Sequence, residues 1–68
     1  MRSMKRRAVA AALLAAGCVP LRNKGGHEIW VCPCGQHQTS LPNHTTTSPG
    51  VIRTMIRHLD CQPEGWLS

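Results

Sequence analysis

The chain of 68 residues contains no phenylalanine and no tyrosine, so Trp30 and Trp66 are its only aromatic residues. A domain this short buries only about 60 % of the surface that its unfolded chain exposes. Aliphatic side chains must therefore supply most of a thin hydrophobic core. Such a core leaves no room for a deep pocket, and we expect no organic cofactor.

Acidic residues are also scarce, with three Asp and Glu against eight Lys and Arg and a net charge of +5. This balance suits an anionic partner such as RNA or a membrane surface. Half of the cations lie in the first seven residues, at Arg2, Lys5, Arg6 and Arg7. The apolar run that follows them is too short to span a membrane, and we expect no membrane partner.

The N-terminal segment MRSMKRRAVAAALLAAGCVP allows a second interpretation. A basic start, an apolar run and small residues before Cys18 are typical of a lipoprotein signal, which would make residues 1–17 a signal peptide and the protein a small exported lipoprotein. If Cys18 were lipidated, the remaining thiols would be Cys32, Cys34 and Cys61, an odd number for a secreted domain. The same segment also suits an ordinary helix, and we keep export as the alternative.

Hydrophobic periodicity and turn residues divide the chain into five elements. Ser3 and Gly17 are suited to cap a first helix, Pro20 confines the first strand to a sheet edge, and Ser48 followed by Pro49 is a strong helix start. We predict a helix over 4–16, strands over 18–22, 27–32 and 37–41, a helix over 49–60, and a tail over 61–68 that folds back through its apolar residues. The order α-β-β-β-α predicts a single α+β domain over 1–68, with both helices on one face of a three-stranded antiparallel sheet.

Several short motifs occur in a fixed order along this chain. They are AAGC at the end of the first helix, KGGH before the strand that holds Trp30, then LPNH, and SPGVIRTMIRHL in the second helix. In these motifs and their order the chain resembles the HicA family of small bacterial toxins, which have a double-stranded-RNA-binding-like fold and act as mRNA interferases. The resemblance implies a cytoplasmic endoribonuclease that a cognate HicB-type antitoxin holds inactive.

The family motif at the glycine turn is Gly-Ser-His or a close variant, and its histidine is the catalytic residue. Gly25, Gly26 and His27 occupy those positions here. The chain differs from the common pattern at Gly26, where most members have serine, and at Glu28, where many have histidine or an aliphatic residue. The resemblance therefore implies that His27 is catalytic.

The chemistry of RNA cleavage supports this assignment independently of the family. RNA carries its own nucleophile, the 2′-hydroxyl, so an imidazole that moves its proton can cut the chain without metal. Arg22 and Lys24, with the open turn at Gly25 and Gly26, are suited to hold a phosphate. The substrate is then mRNA, and the alternative is an RNA-binding module without catalysis.

The other histidines and two helical cations carry weaker predictions. His44 in LPNH is a candidate for substrate contact, whereas His37 and His58 are expected to be structural or solvated. Arg53 and Arg57 are expected on a solvated helix face.

The four cysteines leave two interpretations open. A structural zinc ion could be held by Cys32, Cys34, His37 and Cys61, but Cys-x-Cys is tighter than the usual knuckle. The other interpretation is that the thiols are small, partly buried apolar groups in a reduced cytosol, and the spacing favours it. We expect no catalytic cysteine, because no base is evident beside one.

Overall fold

In the computed structural model, which describes residues 3–63 and 65–67, two helices pack against a three-stranded antiparallel sheet. The main elements follow the order α-β-β-β-α, which confirms the predicted α+β fold. In chain order the elements are β1 (Met4–Lys5), α1 (Arg6–Ala15), β2 (Val19–Lys24), β3 (His27–Val31), β4 (Gln38–Pro42), β5 (Thr46–Thr47) and α2 (Pro49–His58).

The main sheet has the order β2-β3-β4, with β3 in the centre. Both neighbours are antiparallel to β3 and pair with it through short hairpins. Gly25 and Gly26 form the first turn with φ of 57° and 82°. Two consecutive positive φ angles are typical of a tight type I′ hairpin turn, and glycine adopts them without a Cβ penalty. The prolines at 20 and 42 lie in the two edge strands, where a missing N–H is tolerated.

Side chains alternate between the two faces of the sheet. Trp30 pairs with Thr39, and both are buried on the inward face. The residues that alternate with Trp30 and Thr39 along their strands point to the opposite side of the sheet, and we call that surface the open face. The register places on this open face Arg22, Lys24, His27, Ile29, Val31, Gln38, Ser40 and Pro42.

One hydrophobic core joins both helices to the inward face of the sheet. Helix α1 contributes Val9 and Leu13, and helix α2 contributes Ile52 and Met55. The core is completed by Cys18, Trp30, Cys32, Leu41, Leu59 and Leu67. Both helices therefore cover the same face, as predicted. The position of Leu67 in the core shows that the tail folds back, although residues 64 and 68 lie outside the described part of the chain.

The start of the first helix differs from the prediction. Met4–Lys5 form a short strand that pairs antiparallel with Thr46–Thr47, and α1 begins only at Arg6. The N-cap is Lys5 rather than Ser3, and its side chain makes no capping hydrogen bond. A backbone bond of 2.8 Å from Arg6 N to Thr45 O holds the two segments together. Pairing with a distant threonine segment has overridden local helix propensity here, and the connection between the third predicted strand and the second predicted helix therefore contains a strand.

The remaining bounds shift by one or two residues. Strand β2 continues through Lys24 because the turn needs only its two glycines. Helix α2 starts as predicted, with Ser48 Oγ accepting a 3.4 Å bond from Val51 N and Pro49 in the first turn. It ends at His58, two residues early, because Leu59 leaves helical geometry at φ −111° and ψ 49°. No helix in the described residues is long and apolar enough to cross a membrane.

Candidate active site on the open face of the sheet

His27 is the first residue of β3 and its side chain is exposed. Lys24 of β2 lies opposite it on one side and Pro42 of β4 on the other. The ring Nδ1 is 3.4 Å from the carbonyl oxygen of Gly25. The imidazole thus stands at one end of the central strand, beside the glycine turn.

Two cations share this face with His27. Lys24 pairs directly with His27, and Arg22 pairs with Ile29, two residues further along the same face. Both side chains are exposed. A Cβ added at Gly25 or Gly26 would meet no atom within 4 Å, so the turn leaves open space beside the histidine. The first hairpin therefore places residues 22 and 24–27 next to one another.

A groove runs from His27 between β4 and α2. Its walls come from Ser40 and Pro42 on the strand and from Val51 and Thr54 on the helix, with further contributions from Thr39, Gly50, Met55 and His58. His58 was expected to be structural or solvated. It is exposed, and its Nδ1 is 3.2 Å from the hydroxyl of Thr39, so it lies in the same groove as His27.

The loop after β4 contacts the glycine turn through Asn43 rather than through His44. Asn43 N donates a 3.0 Å bond to Gly26 O, and Asn43 Oδ1 accepts a 3.3 Å bond from Arg6. His44 is exposed and is not among the residues that line the groove. The structure therefore does not place His44 beside His27. The sequence does not predict these contacts of Asn43, because no local pattern marks a loop asparagine as a residue that bonds to a distant turn.

Glu28 lies on the inward face, opposite to His27. Its Oε1 accepts a 2.8 Å hydrogen bond from Arg6 of α1 and a 2.9 Å hydrogen bond from Trp30 Nε1. The side chains of Arg6 and Glu28 are 30 % and 26 % exposed. Glu28, which stands where the resemblance leads us to expect histidine or an aliphatic residue, thus joins the start of α1 to the centre of the sheet.

The N-terminal cations form a second surface at the start of α1. Lys5, Arg6, Arg7 and Thr45 line a shallow groove there. Lys5 and Arg7 are exposed, whereas Arg6 is held by Glu28. Arg2 lies outside the described residues. Part of the predicted N-terminal charge is therefore structural rather than available to a partner.

Two neighbouring cysteines and a third from a distant part of the sequence meet at the other end of the sheet. Cys32 and Cys34 lie at the β3–β4 turn, and Cys61 follows α2. Cys61 Sγ is 2.7 Å from Cys32 Sγ and 3.7 Å from Cys34 Sγ. All three sulfur atoms lie within 4.8 Å of one another. The fold has thus assembled the three cysteines that the zinc interpretation requires.

His37 lies beside this cluster. Its Nδ1 is 3.1 Å from Cys34 Sγ, and its Nε2 is 3.3 Å from Asp60 Oδ1. The hydrogen bond with His37 and a backbone N–H from Gln36 lower the pKa of Cys34 to about 6. The same contact with Cys34 raises the pKa of His37. The expectation that no base lies beside a cysteine is therefore wrong, although Cys34 lines neither of the two grooves described above.

The surroundings of Cys61 and Cys18 raise the pKa values of these two thiols. The hydrogen bond with Cys32, together with burial, raises the pKa of Cys61 to about 12. Burial raises the pKa of Cys18, and the charges of the nearby Cys32 and Cys34 add to this effect. Gln62 Nε2 donates to Cys32 Sγ at 3.3 Å and reaches Cys18 Sγ only at 4.0 Å. Cys18 belongs to the core, where it is 1 % exposed.

A comparison with known protein families gives one match, which covers most of the chain. The model of the family described as HicA toxin of bacterial toxin-antitoxin systems matches residues 6–60, which run from the first residue of α1 to just beyond α2. No curated protein and no solved structure gives a significant match.

The matched region includes most of the segment that the export alternative treats as a signal peptide, and Val9 and Leu13 of that segment lie in the core. A toxin of this kind implies a cognate antitoxin. The chain belongs to the HicA toxin family.

Proposed function

We propose that the protein is a cytoplasmic endoribonuclease that cuts mRNA, with His27 as its acid/base group, and that a HicB-type antitoxin holds it inactive. The observation that carries this proposal is the position of His27. Its imidazole is exposed at the end of a groove, beside an open glycine turn, and Lys24 lies directly across the sheet from it.

The reaction needs only groups that the RNA and the protein supply. His27 takes the proton of a 2′-hydroxyl as that oxygen attacks the adjacent phosphorus. The bond from phosphorus to the 5′-oxygen breaks, and the leaving oxygen takes a proton from water or from the imidazolium. The products are a 2′,3′-cyclic phosphate and a 5′-hydroxyl end. One group of this kind typically accelerates a reaction by about 10²–10⁴-fold.

The neighbouring residues fit the charge that develops in this step. Negative charge accumulates on the phosphate oxygens, and exposed cations such as Lys24 and Arg22 stabilise it. The absence of side chains at Gly25 and Gly26 leaves room for the phosphate beside the ring. Since Glu28 points to the opposite face, no carboxylate from β3 opposes the approach of RNA.

The first test compares His27→Ala with the parent protein and with Leu14→Ala, a control at an exposed residue of α1 that does not line the groove. Because His27 is exposed, its removal is expected to change the free energy of unfolding by no more than about 0.5 kcal/mol. RNA cleavage should fall about 100-fold or more, and induced growth arrest should be lost. Leu14→Ala should remain toxic. A folded His27→Ala variant that is as toxic as the parent would refute the catalytic role.

A second test uses an RNA whose 2′-hydroxyl is replaced by hydrogen at the mapped cleavage position. The proposal predicts unchanged binding and no cleavage at that position, and cyclic phosphate ends on the products of the normal RNA. Cleavage of the deoxy-substituted strand would show that water is the nucleophile. If the parent protein binds RNA and arrests growth without cutting it, the non-catalytic RNA-binding alternative is correct.

A further inference from the structure

We infer that Cys32, Cys34 and Cys61 bind a zinc ion as thiolates, with the imidazole of His37 as the fourth ligand. This site lies at the end of the sheet where β3 leads into the turn before β4, whereas His27 lies where β3 begins. Its role is structural and does not depend on the proposed ribonuclease activity.

The separations of the sulfur atoms suit a tetrahedral metal. A Zn–S bond of about 2.3 Å places two sulfurs of a tetrahedron about 3.8 Å apart. Cys34 Sγ and Cys61 Sγ are already 3.7 Å apart. Cys32 Sγ and Cys61 Sγ, at 2.7 Å, have to separate by about 1 Å to admit the ion. Cys61 is exposed in the turn after α2, and a small change of its side-chain torsion provides this movement.

His37 is oriented as a metal-binding histidine is. Such a histidine binds the metal through one ring nitrogen and donates the other N–H to a carboxylate or carbonyl. Nδ1 of His37 faces Cys34 at 3.1 Å, and Nε2 faces Asp60 Oδ1 at 3.3 Å. His37 is not within 4.8 Å of all three sulfurs, so its ring has to move toward them when the ion binds. Asp60 then fixes the ring that supplies the fourth ligand.

Electrostatics favour a cation at the centre of this cluster. Three thiolates within 4.8 Å of one another repel strongly unless a positive charge lies between them. A backbone N–H from Gln36 already points at Cys34 Sγ, at 3.4 Å, and stabilises negative charge on that sulfur. Three thiolates and one imidazole are a ligand set that zinc prefers in structural sites. A disulfide between two of the cysteines would not explain why the third thiol and the His37–Asp60 pair lie beside them.

The position of the cluster explains what a metal would contribute. Cys61 lies in the turn that follows α2, and Cys32 and Cys34 lie in the turn that follows β3, so one ion would join the helix end to the sheet. Domains of this size have thin cores, and a structural metal is one of the common means by which they are stabilised. The site therefore compensates for the missing aromatic residues noted in the sequence.

The test uses the full 68-residue chain, prepared by chemical synthesis and folded under reducing conditions, with Zn²⁺ and Co²⁺ as probes. We expect one Zn²⁺ per chain after gel filtration, and a near-ultraviolet charge-transfer band with Co²⁺ of the intensity that three thiolates give. Cys61→Ser should reduce that band by about a third and lower the affinity for zinc. Asp60→Asn, at an exposed side chain, should keep the band and lower the affinity by about tenfold or more.

Two further variants define the ligand set. His37→Ala should keep the thiolate band but change the visible Co²⁺ spectrum, since one nitrogen ligand is replaced. Cys18→Ala, at the core thiol outside the cluster, should bind zinc with the parent affinity. Failure of the parent to retain zinc, or a Cys32–Cys61 disulfide detected by mass spectrometry in chain folded with Zn²⁺ present, would overturn the inference. Loss of zinc in a folded Cys18→Ala variant would overturn the proposed ligand set.

Discussion

Replacement of Glu28 tests how the first helix is fixed to the sheet. In Glu28→Ala, Trp30 Nε1 and Arg6 both lose the carboxylate oxygen that they share. Trp30 is 3 % exposed, so its N–H would be left largely without solvent, at a cost of about 1–3 kcal/mol. The ion pair is 30 % and 26 % exposed, and solvent screening limits its contribution to about 1 kcal/mol or less. Together these losses amount to roughly 1–4 kcal/mol.

The isosteric variant separates the two contributions. Glu28→Gln keeps an oxygen that can accept from Trp30 and loses only the charge facing Arg6, so it should cost about 1 kcal/mol or less. For a domain of this size, 1 kcal/mol lowers Tm by about 4–8 °C. The two contributions, from the hydrogen bond of Trp30 and from the ion pair with Arg6, are measured by denaturant and thermal unfolding. The proteins compared are the parent, both Glu28 variants and Arg6→Ala. The reasoning would be refuted if Glu28→Ala and Glu28→Gln lowered the free energy of unfolding equally. It would also be refuted if Glu28→Ala lowered it by less than about 0.5 kcal/mol.

Four other changes give independent checks. Gly26→Ala should destabilise the protein by about 1–2 kcal/mol in denaturant unfolding, because φ at this position is +82°. Lys24→Ala should weaken RNA binding and lower the salt slope by about 0.7, whereas Arg53→Ala on the exposed face of α2 should have a smaller effect. Ser48→Ala should lower the free energy of unfolding by about 0.5–1 kcal/mol, since its Oγ caps α2 through a long bond. For zinc-loaded protein, omission of Mg²⁺ should leave the cleavage rate unchanged, and a requirement for Mg²⁺ would contradict a mechanism that uses only groups of the RNA and the protein.

Local patterns were enough to predict the main elements of the fold. The recurrence of Val51, Ile52, Met55 and Leu59 marks α2, and Ser48 with its following proline marks the start of that helix. These signals act over a few residues and can be read directly. The pairing of Met4–Lys5 with Thr46–Thr47 could not be predicted, because two-residue strands show no periodicity and the partners are far apart in the chain.

The candidate sites show the same difference between local and distant information. His27, Lys24 and the glycine turn are close in sequence, so the hairpin brings them together without information from elsewhere. The groove beside them needs residues of α2, and the approach of Cys61 to Cys32 depends on how that helix packs. The CPC spacing alone argued against a metal. Only the folded chain shows that the third thiol and a carboxylate-bound histidine lie beside it.

The short pairing between Met4–Lys5 and Thr46–Thr47 also affects when the domain can form during synthesis. A nascent chain that has left the ribosome only as far as β4 already carries His27, but it lacks the partner of its first strand and the helix that walls the groove. Domains generally fold as units, and this one is not complete until α2 has emerged. The catalytic candidate is therefore synthesised well before the surface around it, and an antitoxin that recognises the finished groove would engage the chain only after α2 has emerged.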